Sequence, residues 1–294
     1  MMLGQLFALL TAFCWAQNSV FYSIAGKRVS SGTVTHIRLW IALPAIIIVH
    51  FIFLGSILPD IGSWRSLGFL FTSGLVGFFI ADIFIFYGFV AIGPGRTLLI
   101  LTLSPILSSI FSFLFVGETL NSAQIIGIIV TVAGVLLVIY NENRISKMDS
   151  HKMKGIIFAL IGTIGQAAGM ILAKIGMEGV HPISANLIRI TAGLTGLVIF
   201  ALLRRSFIDD FRKMKDRKAL ALISVSAIIG PVLGIILTLY AFQLAPVGIV
   251  TTLNQISPVI LLPIEAVFMG RKLNPGILLG TLTAVGGAVL LFLF

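Results

Sequence analysis

Long apolar runs, separated by short polar or Gly/Pro-rich breaks, fill the whole chain. A helix needs about 20 apolar residues to cross a hydrocarbon core of about 30 Å. Ten runs predict such helices, over residues 3–24, 33–53, 67–91, 94–116, 121–140, 155–176, 183–203, 219–244, 246–269 and 276–294. Backbone polar groups in lipid must be satisfied internally, so the pattern predicts an all-α transmembrane protein.

The composition excludes a soluble protein. Of the 294 residues, 58% are hydrophobic and only 10% are charged, whereas about a quarter of the residues in a soluble domain are charged. We therefore expect a multi-pass protein of the cytoplasmic membrane, in contact with the lipid bilayer. The first apolar run lacks a basic leader and is longer than a signal-peptide core, so we expect it to be retained.

An internal repeat relates the two halves of the chain. A constant shift of 153 positions pairs glycine, proline, asparagine and tyrosine residues without a gap, and a shift of 151 pairs residues nearer the start of each half. The pairs include Tyr87 with Tyr240, Pro105 with Pro258, Gly134 with Gly287, and Arg38 with Arg189. Apolar helices resemble one another by composition, but ungapped matches of these residue types indicate a true repeat.

The repeat predicts the architecture. Residues 1–140 form a first five-helix repeat, residues 141–154 a polar linker, and residues 155–294 a second five-helix repeat. Because each half has an odd number of helices, the second enters the membrane upside down relative to the first. Such inverted-topology repeats are common in secondary transporters, with a central cavity at the repeat interface.

Basic residues predict the orientation. The net charge of +10 would suggest a nucleic-acid partner for a soluble chain, but in a membrane protein Lys and Arg mark cytoplasmic loops. Fifteen of the twenty Lys and Arg fall in loops on one side of the predicted topology, and Arg65 falls on the other. Both termini are therefore expected outside the cytoplasm, and no nucleic-acid partner is expected.

These features resemble EamA-type members of the drug/metabolite transporter superfamily. The resemblance rests on Pro105, Gly117-Glu118, Leu120, Gln124, Gly127 and Gly134, echoed by Pro258, Gly270, Leu273, Gly280 and Gly287. It implies a central cavity lined by the first, third and fourth helices of each half, and movement of a small organic solute. The second half departs from the pattern, with Arg271 in place of Glu118. Family members usually have both termini in the cytoplasm, whereas the loop charges here favour the opposite.

Two acidic residues lie within predicted helices, Asp82 in the third and Glu265 in the ninth. A charged side chain at a helix centre costs about 2.5–3.5 kcal/mol on insertion scales, so such residues mark pathways or proton relays. The alternative is a neutral acid that is hydrogen-bonded between helices or placed near the interface. Either acid is a candidate for substrate binding or proton coupling.

The fourth and ninth helices each contain a proline, Pro105 and Pro258, which removes one backbone hydrogen bond and kinks the helix. The freed carbonyls of Leu101 and Asn254 could supply dipoles to a midplane site, or the kinks could only shape packing. Asn254, on one face with Glu265, and the adjacent Gln255 are candidate binding residues.

A stripe of polar and aromatic residues, Trp15, Asn18 and Tyr22, follows one face of the first helix. An asparagine beside aromatic rings suits a polar solute with an apolar body, although a helix–helix hydrogen bond explains Asn18 equally well. The repeat-related tyrosines, Tyr87 and Tyr240, complete the aromatic candidates.

The sixth helix holds Gln166 eight positions before Lys174. This spacing is similar to that of a glutamate and a lysine in small multidrug-resistance proteins, whose glutamate exchanges protons for cationic drugs. Glutamine cannot do so, so any coupled proton would fall to Asp82 or Glu265. Lys174 is either a counter-ion in the cavity or, by preference, a side chain that reaches the interface from a helix end.

The remaining polar residues suggest structural roles. Arg38 and Arg189 lie a turn or two into their helices and could bind substrate, but they are predicted, by preference, to anchor headgroups or loop carboxylates. The four histidines lack metal-ligand spacing, so neither a metal nor a cofactor is expected. Glycines such as Gly127, Gly134 and Gly287 predict close helix packing, either within one chain or between two copies.

The sequence therefore favours a secondary transporter that works by alternating access and moves an amino acid or related metabolite outward. The alternative is efflux of a cationic drug or quaternary amine in exchange for protons. An intramembrane enzyme and a pore are less favoured, since HExxH, GxSxG and rings of like residues are absent from the sequence. No GxxxxGK[ST] motif is present, so the driving energy would come from a gradient.

Overall fold

The structure, a computed structural model, describes residues 2–142, 150–257, 259–260 and 275–293. The described residues form helices joined by loops and contain no strand, which confirms the all-α transmembrane prediction. The helices are α1 Met2–Val29, α2 Ser31–Leu54, α3 Trp64–Ala91, α4 Pro94–Leu101, α5 Ser104–Val116, α6 Ser122–Glu142, α7 Ser150–Gly176, α8 Pro182–Leu203, α9 Phe207–Arg212, α10 Arg217–Leu244, α11 Val247–Asn254 and α12 Pro275–Leu293. Among the described helices, α2, α3, α8, α10 and the Met153–Gly176 part of α7 are each long and apolar enough to cross a membrane.

The two halves are interleaved. The first helix of each half packs against helices of the other half: α1 against α10 and α11, and α7 against α3 and α5. The interface between the repeats is therefore formed by α1, α3, α7, α10 and their neighbours, and any cavity at that interface draws on both halves.

The fourth predicted helix is broken in two. Helix α4 ends at Leu101, and α5 begins at Ser104 with Pro105 in its first turn. Proline has no N–H to donate to the carbonyl four residues earlier, and the structure places an interruption of the helix immediately before Pro105. Pro258, its partner in the repeat, lies outside the described residues.

Helices α3 and α10 each contain a π-helical segment that was not predicted from the sequence, Leu75–Ala81 and Ile228–Gly234. The two segments are related by the same shift of 153 positions that relates the prolines. In the second segment, Asn186 Nδ2 on α8 donates to the carbonyl of Pro231 at 2.8 Å. Insertions of this kind occur often at functional sites, and the first one ends immediately before Asp82.

Glycines bring α6 and α12 into close contact within one chain. A Cβ added at Gly134 would lie 2.2 Å from the backbone nitrogen of Ala284, and one at Gly287 would lie 2.4 Å from that of Thr131. The predicted packing role is therefore confirmed, and the structure assigns the contact to two helices of the same molecule.

The charged segment between α8 and α10, treated as a polar break in the prediction, contains the short helix α9. Its residue Asp210 is buried and accepts a hydrogen bond from Thr33 Oγ1 at 2.6 Å. The same carboxylate lies 3.1 Å from His36 Nδ1, and Arg28 pairs with Asp216 at 2.8 Å. These contacts tie the segment to the junction of α1 and α2.

Candidate functional site

A cavity of about 70 Å³ lies between the two halves. Six of the candidate residues line it: Trp15, Tyr22, Asp82, Gln166, Asn254 and Gln255. The remaining lining consists of Ser19, Ile85, Phe86, Phe89, Leu98, Leu101, Ser104, Met170, Thr251 and Ser257. Half of these side chains are aromatic or apolar and half are polar, a combination that suits a small organic molecule with both kinds of surface.

Residues related by the repeat meet in this cavity. The pairs that both contribute are Trp15 and Gln166, Ser19 and Met170, Leu98 and Thr251, Leu101 and Asn254, and Ser104 and Ser257. The cavity therefore lies at the pseudo-symmetry axis of the two repeats, where secondary transporters place their substrate.

The third helix breaks this symmetry. Asp82, Ile85, Phe86 and Phe89 of α3 line the cavity, but none of their counterparts on α10 does so. Three of those counterparts, Thr238, Leu239 and Phe242, are fully buried by neighbouring helices. The third helices of the two repeats therefore contribute unequally to the cavity.

Asp82 forms an ion pair with Arg38, which is fully buried. The prediction that Arg38 anchors a headgroup or loop carboxylate is therefore wrong. Arg38 lies on the face of α2 that packs against the protein interior. The Arg38 guanidinium also lies 4.7 Å from the centroid of the Phe86 ring, a distance typical of a cation–π contact. Charged residues within apolar runs often pair with one another, so the arginine and the acid together were a signal for such a pair, although they lie on different helices.

Arg189 brings a second buried positive charge close to this pair. Only 2% of it is exposed, and its guanidinium lies 5.1 Å from the centroid of Phe78, a ring that Arg38 also approaches. Within the described part of the chain, its Nε and Nη1 have no hydrogen-bond partner. The predicted anchoring role is therefore wrong for Arg189 too, and two arginines with one aspartate give the region an excess of positive charge.

Asn18 does not line the cavity. Asn18 is fully buried and packs against Gly230 of the second π segment. A Cβ added at Gly230 would lie 2.0 Å from Asn18 Nδ2. Among the described residues its amide has no hydrogen-bond partner, so neither predicted role for Asn18 matches its position.

The two predicted tyrosines also lie outside the cavity. Tyr87 packs edge-on against Phe158, with ring centroids 5.1 Å apart. The Tyr240 hydroxyl lies 3.0 Å from His181 Nε2. Burial and the neighbouring His50 lower the pKa of His181, which favours the neutral ring. Its Nδ1 accepts a hydrogen bond from the Ile183 N–H, so Nε2 carries the proton and donates it to the Tyr240 hydroxyl oxygen.

Lys174 joins helices near one end of the cavity but does not line it. Its Nζ donates to the carbonyl of Phe242 and lies 3.4 Å from Glu118 Oε1. Glu118 in turn accepts a hydrogen bond from the Val247 backbone N–H at 2.9 Å. Both predictions for Lys174 are therefore replaced by an ion pair that connects α7 and the α5–α6 turn to α11.

The carbonyl of Asn254, which Pro258 was expected to leave without a backbone partner, accepts a hydrogen bond from Ser257 Oγ at 2.6 Å. The second acid, Glu265, lies outside the described residues, as does Pro258. The described part of the site therefore rests on Asp82 and the polar side chains of α1, α7 and α11.

Comparisons with known proteins agree with this architecture. The model of the EamA-like transporter family matches residues 2–140 and again residues 153–293. An uncharacterized transporter of Archaeoglobus fulgidus is 26% identical over 121 residues, which make up 41% of this chain and 41% of that relative. A protein of known crystal structure aligns with a TM-score of 0.72 over 98% of this chain and 95% of its own, at 17% identity, which shows the fold alone.

Two matched repeats and several helices long and apolar enough to cross a membrane identify a multi-pass membrane protein. The chain belongs to the EamA-like transporter family, whose model matches both halves.

Proposed function

We propose that this protein is a secondary transporter that exports an amino acid or a related small metabolite by alternating access. The observation that carries the proposal is the cavity on the repeat axis, lined by repeat-related pairs and bordered by the buried charges of Asp82, Arg38 and Arg189. Export and the location in the cytoplasmic membrane are part of the proposal.

Size and charge favour a small carboxylate-bearing solute. A cavity of about 70 Å³ has room for roughly five water molecules, which suits an amino-acid-sized molecule better than a large drug. Two buried arginines beside one aspartate favour a ligand that adds negative charge nearby, because an uncompensated buried cation is costly. Trp15, Tyr22 and Phe86 would contact the apolar part of such a solute.

Efflux of a quaternary amine in exchange for protons is the alternative function. It requires an ionised carboxylate that is free to bind either cation, and Asp82 is the described acid at the cavity. Because Arg38 already neutralises Asp82, a cationic drug would have to displace an arginine, which disfavours this alternative. Proton coupling in the leading proposal would act through the same carboxylate, by weakening its pair with Arg38.

Counterflow in liposomes tests the proposal. Liposomes that contain the full-length protein and are loaded with an unlabelled amino acid should accumulate the labelled form with saturable kinetics. A pore would give unsaturable flux, and an enzyme would release a chemically altered solute. Met170→Trp should reduce the rate at least tenfold, because Met170 lines the cavity and an indole would fill it. Ile164→Trp is the matched control and should keep the wild-type rate, because Ile164 lies on the same helix and is 51% exposed. Saturable uptake of quaternary amines but not of amino acids would favour the alternative.

The asymmetry of α3 and α10 predicts which residues exchange exposure during transport. Ile85 lines the cavity, whereas its repeat partner Thr238 is fully buried. In a Cys14→Ser background, Ile85→Cys should react with a small thiol reagent much faster than Thr238→Cys in the state described here. A substrate gradient that favours the opposite state should reverse that order. Equal labelling of both positions under every gradient would contradict alternating access.

A further inference from the structure

A second and larger cavity lies on the side of α3 that faces away from the central site. This outer groove has a volume of about 910 Å³ and runs between α2, α3, α8 and the α9 segment. Ile83, Phe84 and Tyr87 line it, whereas Asp82, Ile85, Phe86 and Phe89 line the central cavity. Side chains three and four apart share a helix face, so these two sets occupy different faces of α3 and the two cavities are separate.

The wall of the outer groove is apolar and largely aromatic. Phe84 packs edge-on against Phe158 of α7, with ring centroids 5.1 Å apart, and Phe79 lies 5.8 Å from Phe200 of α8. The stretch of α3 from Phe79 to Tyr87 spans about 12 Å at the rise of an α-helix, which matches most of an acyl chain's path through one leaflet. A wall of this kind accepts hydrocarbon and offers little to a polar solute.

One end of the outer groove is polar and cationic. Arg204 stacks over Phe200, with its guanidinium carbon 4.7 Å from the ring centroid, and it has no carboxylate partner in the described part of the chain. Lys213 Nζ lies 3.3 Å from Thr33 Oγ1, and the Lys213 side chain remains 44% exposed. Serine hydroxyls of Ser30, Ser31 and Ser206 complete this end.

The acidic residue at this end is already engaged. Asp210 Oδ1 accepts a hydrogen bond from Thr33, and Oδ2 lies within hydrogen-bond distance of His36 Nδ1. Trp40 Nε1 donates to the other ring nitrogen of His36, so Nδ1 carries the proton that is donated to Asp210. Burial alone would raise the pKa of Asp210, but these hydrogen bonds and the nearby Lys213 hold it below its ordinary value. Lys213 lies 3.9 Å from this carboxylate, so Asp210 offsets part of one positive charge and Arg204 remains available.

We propose that the outer groove binds an anionic phospholipid. Its acyl chain lies along the aromatic wall of α3, and its phosphate lies between Arg204 and Lys213. Loop charges place this end of the protein at the cytoplasmic surface, where anionic lipids concentrate. Because the groove opens beside α3 and not into the central cavity, the lipid is a bound component of the transporter and not its cargo.

Native mass spectrometry of the full-length protein, titrated with phosphatidylglycerol or with phosphatidylcholine of identical chains, tests the charge requirement. Phosphatidylglycerol should bind more tightly. Each cation that contacts the lipid phosphate should contribute roughly a fivefold preference, so the double variant Arg204→Gln/Lys213→Gln should weaken phosphatidylglycerol binding about thirtyfold and leave phosphatidylcholine unchanged. The matched control, Arg212→Gln/Lys215→Gln, removes the same charge from the same segment outside the groove lining and should change binding less than about twofold.

A steric variant separates the groove from the surface charge. Ile83→Trp keeps both cations but places an indole in the space that the acyl chain would occupy along the apolar wall. It should therefore also abolish selective retention of phosphatidylglycerol. Unchanged thermal unfolding of each variant in lipid-free detergent shows that folding is intact. Equal affinity for the two lipids, an equal loss in the control pair, or full binding in Ile83→Trp would overturn the proposal. Equally tight binding of glycerol phosphate, which has no acyl chains, would overturn it by showing a free-phosphate site instead.

Discussion

Replacing Asp82 with alanine should destabilise the folded protein by about 3–5 kcal/mol, because it leaves the buried guanidinium of Arg38 without a partner. Arg189 lies against the same Phe78 ring, so two like charges would then face each other in an apolar interior. The unfolding midpoint measured in detergent should fall steeply. The midpoint of the Asp82→Asn variant should shift in the same direction, because a neutral amide also leaves the Arg38 charge without a counter-ion.

The double variant Asp82→Leu/Arg38→Met distinguishes a broken ion pair from a general packing defect. Removing both charges of a buried pair is often close to neutral, so the double variant should recover at least half of the stability lost in Asp82→Ala. Transport should remain absent, since the cavity would have lost its carboxylate. A double variant as unstable as the single one would show that loss of the ion pair is not the cause of the instability.

Wild-type transport by Asp82→Asn across the pH range would end the proposed role of Asp82 in proton coupling.

Replacing Gly287 with alanine should also lower stability strongly, by about 2–3 kcal/mol. The new Cβ would stand 2.4 Å from the backbone nitrogen of Thr131, and backbone atoms of a packed helix cannot move aside cheaply. The same substitution at the neighbouring Gly286 meets nothing within 4 Å. Gly286→Ala should therefore be neutral or should stabilise the protein by up to about 1 kcal/mol, because alanine favours a helix more than glycine does.

The comparison is made by thermal unfolding of the two variants in the same detergent. It isolates the contact between α6 and α12, since both variants add one methyl group to adjacent positions of a single helix. Gly134→Ala, whose Cβ would lie 2.2 Å from the Ala284 nitrogen, should reproduce the loss from the opposite helix. Equal stability of the Gly286 and Gly287 variants would contradict the tight packing described here.

Much of the candidate site could be predicted from residue type and position alone. Asp82 was recognisable because a carboxylate within a long apolar run is costly unless it has a role, and it does line the cavity. Trp15, Tyr22 and Gln166 were recognisable from their spacing and from the repeat, and they line the cavity as well. Asn18, which belongs to the same predicted stripe, faces the second π segment instead. Polar and aromatic residues at helical spacing indicate which face of a helix is involved. They do not show which neighbouring helix each side chain on that face contacts.

The arginines show where such reasoning fails. Arg38 and Arg189 lie near the predicted helix ends, where long basic side chains ordinarily reach water or headgroups. Their burial depends on α3, since Asp82 and the rings of Phe78 and Phe86 provide the partners. None of these is close in sequence to either arginine, so only the packing of separate helices could show the cluster.

The sequence by itself determined that this chain is helical, spans a membrane and consists of two related halves. Hydrophobic length, Gly and Pro positions and an ungapped repeat are properties of the chain that need no knowledge of contacts. Only the tertiary structure decided that Asp82 pairs with Arg38, that Lys174 pairs with Glu118 and that α3 separates an inner cavity from an outer groove. The physical reason is that these contacts depend on the rotation and depth of each helix relative to its neighbours. Two helices with the same apolar length can be packed together in many such arrangements, and the side chains of both decide which one is formed.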